Sequence, residues 1–191
     1  MADIELKTAN AFGEPQPVTD EWPGLRVTEL TDVVFTSIAA RRGTVSDLHA
    51  RFRGHFGFEL PRPGHSSGSG RLTVGWMAQD QWLVLRSDSD PRAELGDALR
   101  GLASMTDQSA AWAGLTITGP QTRALLARLV PLDTHPSVFP RDFFSATLCH
   151  HMTVLVQSHG ERGVTLMVGR SLAGSLLHVI RETANGITAQ G

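Results

Sequence analysis

The sequence contains a single cysteine, Cys149, among its 191 residues. One cysteine excludes an internal disulfide and fits a reducing compartment. No apolar run approaches the roughly 20 residues that a membrane-spanning helix needs, and the N-terminal residues lack the basic start and apolar stretch of a signal peptide. These absences predict a soluble, cytoplasmic protein that has no membrane partner.

Neither acidic nor basic residues are in strong excess. The formal net charge is −2 at pH 7, and the basic residues are scattered along the chain. A protein that binds nucleic acid usually carries a basic patch or stripe, so this pattern predicts no nucleic-acid partner. A chain of this length, with 41% hydrophobic residues, can bury a core without disulfides or metal ions.

Recognisable catalytic motifs are scarce as well. Gly64-His65-Ser66-Ser67-Gly68 matches the spacing of a hydrolase nucleophile elbow, but two prolines precede it and more glycine follows. A nucleophile elbow needs an apolar strand before the serine and a helix after it. We therefore interpret the segment as a flexible loop. Its glycines do not extend into a dinucleotide fingerprint, because Thr73 stands where the third glycine belongs.

Cys149-His150-His151 is the one cluster in the sequence that resembles a metal site. On a predicted strand from 143 to 157, Cys149 and His151 share one face and His150 takes the other. A zinc site needs ligands that converge from at least three directions, and the chain has no second cysteine. These residues are therefore interpreted as ordinary strand residues. The sequence predicts no catalytic, cofactor-binding or metal-binding residue.

The order of predicted elements occurs twice. Leu48-His49-Ala50-Arg51-Phe52 in the first half corresponds to Leu125-Leu126-Ala127-Arg128-Leu129 in the second, and both lie in predicted amphipathic helices. Each half reads as strand, helix, two strands and helix. This repetition predicts an α+β fold of two pseudo-duplicated β-α-β-β-α lobes with mostly antiparallel sheets.

The predicted domain organisation begins with an arm. Residues 1–24 combine glycine, prolines and alternating charges with little apolar periodicity, which predicts an extended or mobile segment that adds nothing to the core. Residues 25–188 are predicted to form a single domain of two repeats, about 25–104 and 105–188.

The segment from Pro131 to Pro140 is unusually stiff in composition. It contains three prolines, a histidine and a phenylalanine within ten residues. Such a connection has low conformational entropy and suits the presentation of side chains at a fixed place. A tight interhelical turn explains the same composition equally well.

This segment also carries a resemblance. Leu132-Asp133-Thr134-His135-Pro136, followed by Phe139-Pro140, is similar to a motif of the gamma subunit of heterotetrameric sarcosine oxidase. Other short matches agree in order and spacing, so that the similarity covers roughly residues 33–184: Phe56-Gly57, Leu60-Pro61, Asp80-Gln81-Trp82-Leu83 and Arg170-Ser171-Leu172-Ala173. One position departs from the family, because Ala146 stands where an arginine is expected.

The resemblance implies a fold similar to the folate-binding domain of the glycine-cleavage aminomethyltransferase. It also implies an accessory, non-catalytic subunit of an enzyme that oxidatively demethylates sarcosine to glycine and transfers the one-carbon unit to tetrahydrofolate. The partners would be the alpha, beta and delta subunits, mainly alpha, whose folate-handling domain this chain would support. No cofactor would be bound by this chain, because FAD, FMN, NAD and tetrahydrofolate are expected on alpha and beta and zinc on delta. The candidate partner-interface residues are Leu132, Asp133, His135, Pro136, Phe139 and Pro140.

Two alternatives remain open from the sequence. One is a stand-alone folate-binding protein or aminomethyltransferase-like enzyme, which should contain a carboxylate that grips the pterin or a Lys-Gly-Cys-Tyr-type motif. The chain has no tyrosine, and its cysteine lies in Leu148-Cys149-His150. The other is the gamma subunit of a related N-methyl amino acid oxidase or dehydrogenase, because a subunit that does not touch the substrate carries no residue that selects it.

Overall fold

The structure is a computed structural model that describes residues 10–188. Within them lie eleven strands: β1 (Thr19–Trp22), β2 (Leu25–Glu29), β3 (Val34–Ala40), β4 (Ser66–Ser69), β5 (Leu72–Ala78), β6 (Gln81–Arg86), β7 (Ala103–Asp107), β8 (Trp112–Thr118), β9 (Phe144–Cys149), β10 (Met152–Ser158) and β11 (Val164–Gly169). The α-helices of the same residues are α1 (Val45–Phe56), α2 (Arg92–Ala98), α3 (Thr122–Leu129) and α4 (Ala173–Thr188). None of these helices is long and apolar enough to cross a bilayer.

The strands form two sheets in which every pairing is antiparallel. The six-stranded sheet has the order β1-β2-β8-β11-β10-β9, and the five-stranded sheet has the order β4-β5-β6-β3-β7. The order β4-β5-β6-β3 in one sheet matches β9-β10-β11-β8 in the other, and each set is interleaved with two helices in the same way. The predicted α+β class with duplicated lobes and antiparallel sheets is therefore confirmed.

Each lobe has three strands between its two helices rather than the predicted two. In the first lobe the extra strand is β4, which lies in the segment predicted to be a flexible loop. In the second lobe the predicted long strand over 143–157 is divided into β9 and β10 by a turn at His150, whose φ is 53°. The left-handed backbone reverses the chain there, so the prediction that residues 149–151 alternate across one strand is wrong.

The helices cover the outer faces of the two sheets, while the inner faces pack on each other. Alternate residues of a strand point to opposite faces, so each sheet contributes to two apolar layers. The helix-facing core of the five-stranded sheet includes Leu48 and Phe52 of α1, and that of the six-stranded sheet includes Leu176 and Ile180 of α4. A third cluster fills the space between the sheets: Phe35, Leu83, Leu85, Phe144, Leu155 and Met167.

The two sheets also meet through backbone hydrogen bonds at one edge. The amide of Ser66 donates to the carbonyl of Asp142 at 2.7 Å, and the amide of Phe144 donates to the carbonyl of Gly64 at 3.0 Å. Residues 64–66 thus pair with the start of β9 before the chain continues as β4. The predicted flexible loop is instead an edge segment that connects the sheets.

The predicted N-terminal arm is only partly described, because residues 1–9 lie outside the described residues. Residues 10–24 pack on the domain: Phe12 and Val18 are buried in the core of the six-stranded sheet, and β1 pairs with β2. The expectation that the arm adds nothing to the core is wrong for these residues, because their two buried apolar side chains are part of that core.

The predicted repeat boundary also differs from the sheet boundary. The position between 104 and 105 falls inside β7, which pairs with β3 of the first lobe. Conversely, β2 lies in the predicted first repeat but pairs with β8 in the six-stranded sheet. In the five-stranded sheet the additional strand beside β3 is therefore β7, which follows the first lobe in the chain. In the six-stranded sheet the additional strand beside β8 is β2, which comes from an earlier part of the chain.

Candidate partner-binding groove

A groove with a volume of about 800 Å³ lies on the six-stranded side of the molecule. Its walls are the first turns of α3, the proline-rich segment 131–141 and the turn at 160–164. Three side chains of the proline-rich segment form much of the apolar surface: Pro136, Phe139 and Pro140. The size falls within the range typical of ligand pockets.

The proline-rich segment is fixed by its own hydrogen bonds. Asp133 Oδ1 accepts a hydrogen bond from the amide of His135 at 2.8 Å, and His135 Nδ1 contacts Ser137 Oγ at 2.7 Å. The amides of Val138 and Phe139 both donate to the carbonyl of His135, at 3.0 and 2.9 Å. This local turn, together with the fixed φ of the prolines, holds the segment in one shape.

The six candidate interface residues have different positions. Pro136, Phe139 and Pro140 line the groove, whereas Leu132 is half-buried and packs against the core of the six-stranded sheet. Asp133 and His135 are exposed, and their side chains bond within their own turn. The structure therefore brings three of the six together in the groove, while the other three shape the segment that presents them.

Phe139 connects the groove to the core. Its ring lies 4.7 Å from the ring of Phe143, centroid to centroid, and it packs on the apolar cluster under the six-stranded sheet. Its neighbour Val138 is 52% exposed, which is unusual for a large apolar side chain in this protein. The segment thus has an anchored side and a free apolar side.

Sequence reasoning missed the residues that α3 and the neighbouring turns supply. Ala124 and Ala127 are exposed on α3 and line the groove, and the spacing of Leu125, Leu126 and Leu129 could have indicated this face, because those leucines define the buried side. Arg123, Arg141 and Glu161 form a charged rim. Among residues 10–188, none of the three makes an ion pair.

The cluster at Cys149 is part of the core. The Cys149 side chain is buried under the six-stranded sheet, and burial raises the pKa of its thiol to about 11. His150 and His151 are exposed in the turn that follows. In residues 10–188 no three histidine, cysteine, aspartate or glutamate side chains converge to hold a metal ion. A protonated thiol is a poor nucleophile, so Cys149 is not activated for catalysis.

The two serines of segment 64–68, called here the elbow-like motif, donate hydrogen bonds to backbone carbonyls. Ser66 Oγ donates to Asp142 O at 3.3 Å and Ser67 Oγ donates to Glu59 O at 2.5 Å. His65 Nδ1 lies 2.9 Å from Asp142 Oδ2 and bonds to that carboxylate. No helix follows the motif, since the chain continues as β4 and β5. The arrangement lacks the exposed, strained serine of a hydrolase.

The profile of the sarcosine oxidase, gamma subunit family matches residues 42–185. The chain belongs to this family. The match covers both lobes from α1 to α4 and includes the whole proline-rich segment, so the resemblance based on Leu132 to Pro140 is confirmed. A comparison with curated proteins gives no match.

Two solved structures share the fold of this chain. A chain of the heterotetrameric sarcosine oxidase from Corynebacterium sp. U-96, determined in complex with pyrrole 2-carboxylate, is similar with a TM-score of 0.77 and 21% identity, covering 86% of this chain and 85% of that chain. The glycine cleavage system aminomethyltransferase T from Bartonella henselae is similar with a TM-score of 0.56 and 13% identity, covering 80% of this chain and 44% of that chain. The predicted similarity of fold to the aminomethyltransferase is confirmed, and it extends over less than half of that protein.

Proposed function

We propose that the chain is the accessory gamma subunit of a heterotetrameric sarcosine oxidase and that the groove between α3 and the proline-rich segment binds a partner subunit. The match of the gamma subunit family to residues 42–185 is the observation that supports this most strongly. The similar chain from Corynebacterium sp. U-96 belongs to such a heterotetramer. The partners proposed here are the alpha, beta and delta subunits, with alpha in the groove.

The surface chemistry of the groove supports binding of a protein partner. Interfaces combine an apolar centre, rich in aromatic side chains, with a polar rim. Phe139, Pro136 and the exposed alanines of α3 supply the centre, and Arg123 and Arg141 supply cationic positions on the rim. A partner segment with an apolar side chain and neighbouring carboxylates would complement both features.

In this proposal the catalytic chemistry belongs to the partner subunits. FAD, FMN, NAD and tetrahydrofolate would be held by alpha and beta and zinc by delta, while this chain supports the folate-handling domain of alpha. The buried, protonated thiol of Cys149 and the backbone-bonded serines of the elbow-like motif are consistent with a supporting role. The complex would demethylate sarcosine in the cytoplasm.

Co-expression with the alpha, beta and delta subunits of a sarcosine oxidase tests this proposal. The duplication supplies a matched pair of variants, because Ala127 of α3 corresponds to Ala50 of α1 and both are exposed. Ala127→Glu places a carboxylate in the groove, whereas Ala50→Glu places it on the equivalent helix of the other lobe.

The wild-type chain and Ala50→Glu should co-purify with a flavin-containing complex, and Ala127→Glu should reduce recovery at least about tenfold, because a charge buried at an interface costs more than the 1.4 kcal/mol that a tenfold change represents. The chain alone should have no flavin absorbance. The proposal would be wrong if the wild-type chain never enters the complex, and the placement of the interface would be wrong if both variants assemble equally. Stoichiometric binding of tetrahydrofolate to the chain alone would favour the stand-alone alternative.

A further inference from the structure

A second cavity system lies between the two sheets, at the end where their facing surfaces become polar. The inner face of the six-stranded sheet has an apolar row that includes Leu155 and Met167, which pair across β10 and β11. The next inward-facing row is polar on four neighbouring strands, where four residues pair directly: Gln157, Thr165, Thr116 and Thr28. On β9 the same row ends in the buried ring of Phe144, which pairs with Gln157.

Two cavities of about 430 and 180 Å³ open beside this polar row. They share Thr73, Gln157 and His159, so they meet at these three side chains. The larger cavity is bounded by the serine- and glycine-rich strand β4, and the smaller one extends toward Arg71 and Ser87. Together they have the size of a small-molecule site.

Gln157 is the informative residue in this cleft. It is 8% exposed, and its side-chain amide makes no hydrogen bond with any residue from 10 to 188. Its neighbours are satisfied: Thr116 Oγ1 and Thr165 Oγ1 lie 3.1 Å apart, and His159 Nε2 lies 2.8 Å from Thr165 Oγ1. The amide atoms are not fully enclosed, so they face the open cleft, where they can donate to and accept from a polar species that enters it.

The charges around the cleft favour an anion. Arg71 lines the smaller cavity and Arg141 the larger one, and neither makes an ion pair within the described part of the chain. Arg86 also lines the smaller cavity, but it is held by Asp88 at 2.7 Å and Glu94 at 2.5 Å. The carboxylate that lines the larger cavity, Asp142, lies 2.9 Å from the His65 imidazole.

We propose that this inter-sheet cleft binds a small organic acid, with a carboxylate at Arg71 and a hydrogen bond to the amide of Gln157. Gln157 supplies both a donor and an acceptor, and Thr73 and Thr165 add hydroxyl groups along the wall. A guanidinium binds a carboxylate through two parallel hydrogen bonds, which Arg71 can direct from the mouth. This inference does not rest on the proposed function, because every group that it uses belongs to this chain.

Titration of the full chain with succinate, followed by calorimetry, tests the inference, with acetate as a monocarboxylate probe and phosphate as an anion that is not a carboxylate. The variants are Gln157→Leu, which keeps the size but removes the amide, and Arg71→Gln. The matched control is Arg42→Gln, because Arg42 is exposed and lines neither cavity.

Saturable binding of succinate or acetate should weaken at least tenfold in both cleft variants and remain unchanged in Arg42→Gln. Without ligand, Gln157→Leu should unfold at about the same temperature as the wild type, because the amide makes no hydrogen bond within residues 10–188, and only the wild type should gain thermal stability on addition of the binding acid. The inference is overturned if neither acid binds saturably, if phosphate binds as well as the acids, or if Gln157→Leu binds as the wild type does.

Discussion

At the residue scale, the packing of the two sheets depends on a contact between a glycine and an aromatic ring. Gly75 lies on β5 of the five-stranded sheet, and the fully buried ring of Phe144 from the other sheet lies directly over it. A Cβ atom at position 75 would overlap three carbon atoms of this ring. The sequence gives no sign of the contact, because the two residues lie on strands of different sheets.

Gly75→Ala should lower the free energy of unfolding by about 1–3 kcal/mol, because the added methyl group forces the ring or the sheet to shift. Urea unfolding monitored by circular dichroism measures the change. Gly54→Ala is the control, since Gly54 lies in α1 with no atom within 4 Å of an added Cβ and alanine favours helix there.

In Gly75→Ala/Phe144→Leu, the smaller side chain should relieve the overlap, so the double variant should be less destabilised than the two single effects together. Additive effects would contradict the contact.

The buried thiol of Cys149 predicts a dependence of stability on alkaline pH. Burial raises its pKa from 9.0 to about 11, so the thiol ionises at lower pH in the unfolded chain than in the folded one. The contribution of the thiol to stability is complete below pH 9 and is lost as the pH rises toward 11. Few other groups of the chain titrate between pH 9 and 11, because the chain has no tyrosine and one lysine, Lys7.

The free energy of unfolding of the wild type should fall by about 1 kcal/mol or more between pH 8.5 and 10.5, given about 1.4 kcal/mol per unit of pKa shift. Cys149→Ala should be less stable at pH 8, because it leaves a small cavity, but its stability should change little over the same range. Parallel urea titrations at the two pH values measure both effects. Equal slopes for the two proteins would exclude the thiol as the cause.

At the scale of elements, the helices could be predicted from apolar spacing, whereas β4, the β9–β10 turn and the packing of the N-terminal segment could not. A serine- and glycine-rich stretch such as 66–69 has low strand propensity and becomes a strand only because β5 and residues 142–144 offer partners. The left-handed conformation of His150 has no composition signal. The order of residues 10–24 depends on contacts with α4, far along the chain.

Arg181 makes the main polar contacts between that segment and α4. Its guanidinium donates to Glu14 at 2.6 Å and to Asp20 at 2.7 Å, and both contacts raise the pKa of Arg181. Arg181→Gln should destabilise the protein by about 1 kcal/mol, a value reduced by partial exposure, and should speed amide hydrogen exchange in residues 10–24. Exchange followed by mass spectrometry measures the effect. Arg100→Gln is the control, because it breaks an exposed ion pair with Asp97 and should change neither stability nor exchange. Unchanged exchange in Arg181→Gln would contradict the prediction and show that Phe12 and Val18 hold the segment in place without the ion pairs.

At the scale of the whole molecule, the sequence located one wall of the groove but not the groove itself. The proline-rich segment carried the family resemblance, and its stiffness indicated that it presents side chains. The other walls come from α3 and from the turn at 160–164, and only the folded chain brings them beside Pro136 and Phe139. The inter-sheet cleft was missed for a similar reason, because Gln157 reads as an ordinary strand residue until its facing sheet is known.

Hydrogen exchange on the chain alone and on the chain assembled with alpha, beta and delta subunits shows whether the groove is the partner interface, because it locates the interface in the wild-type protein. Amides of residues 131–141 and 160–164 should exchange more slowly in the complex, while those of α1 and α2 should remain unchanged. Protection on α1 and α2 with unchanged exchange in residues 131–141, or a chain that never joins the complex, would contradict the assignment of the groove as the surface through which this subunit binds its partners.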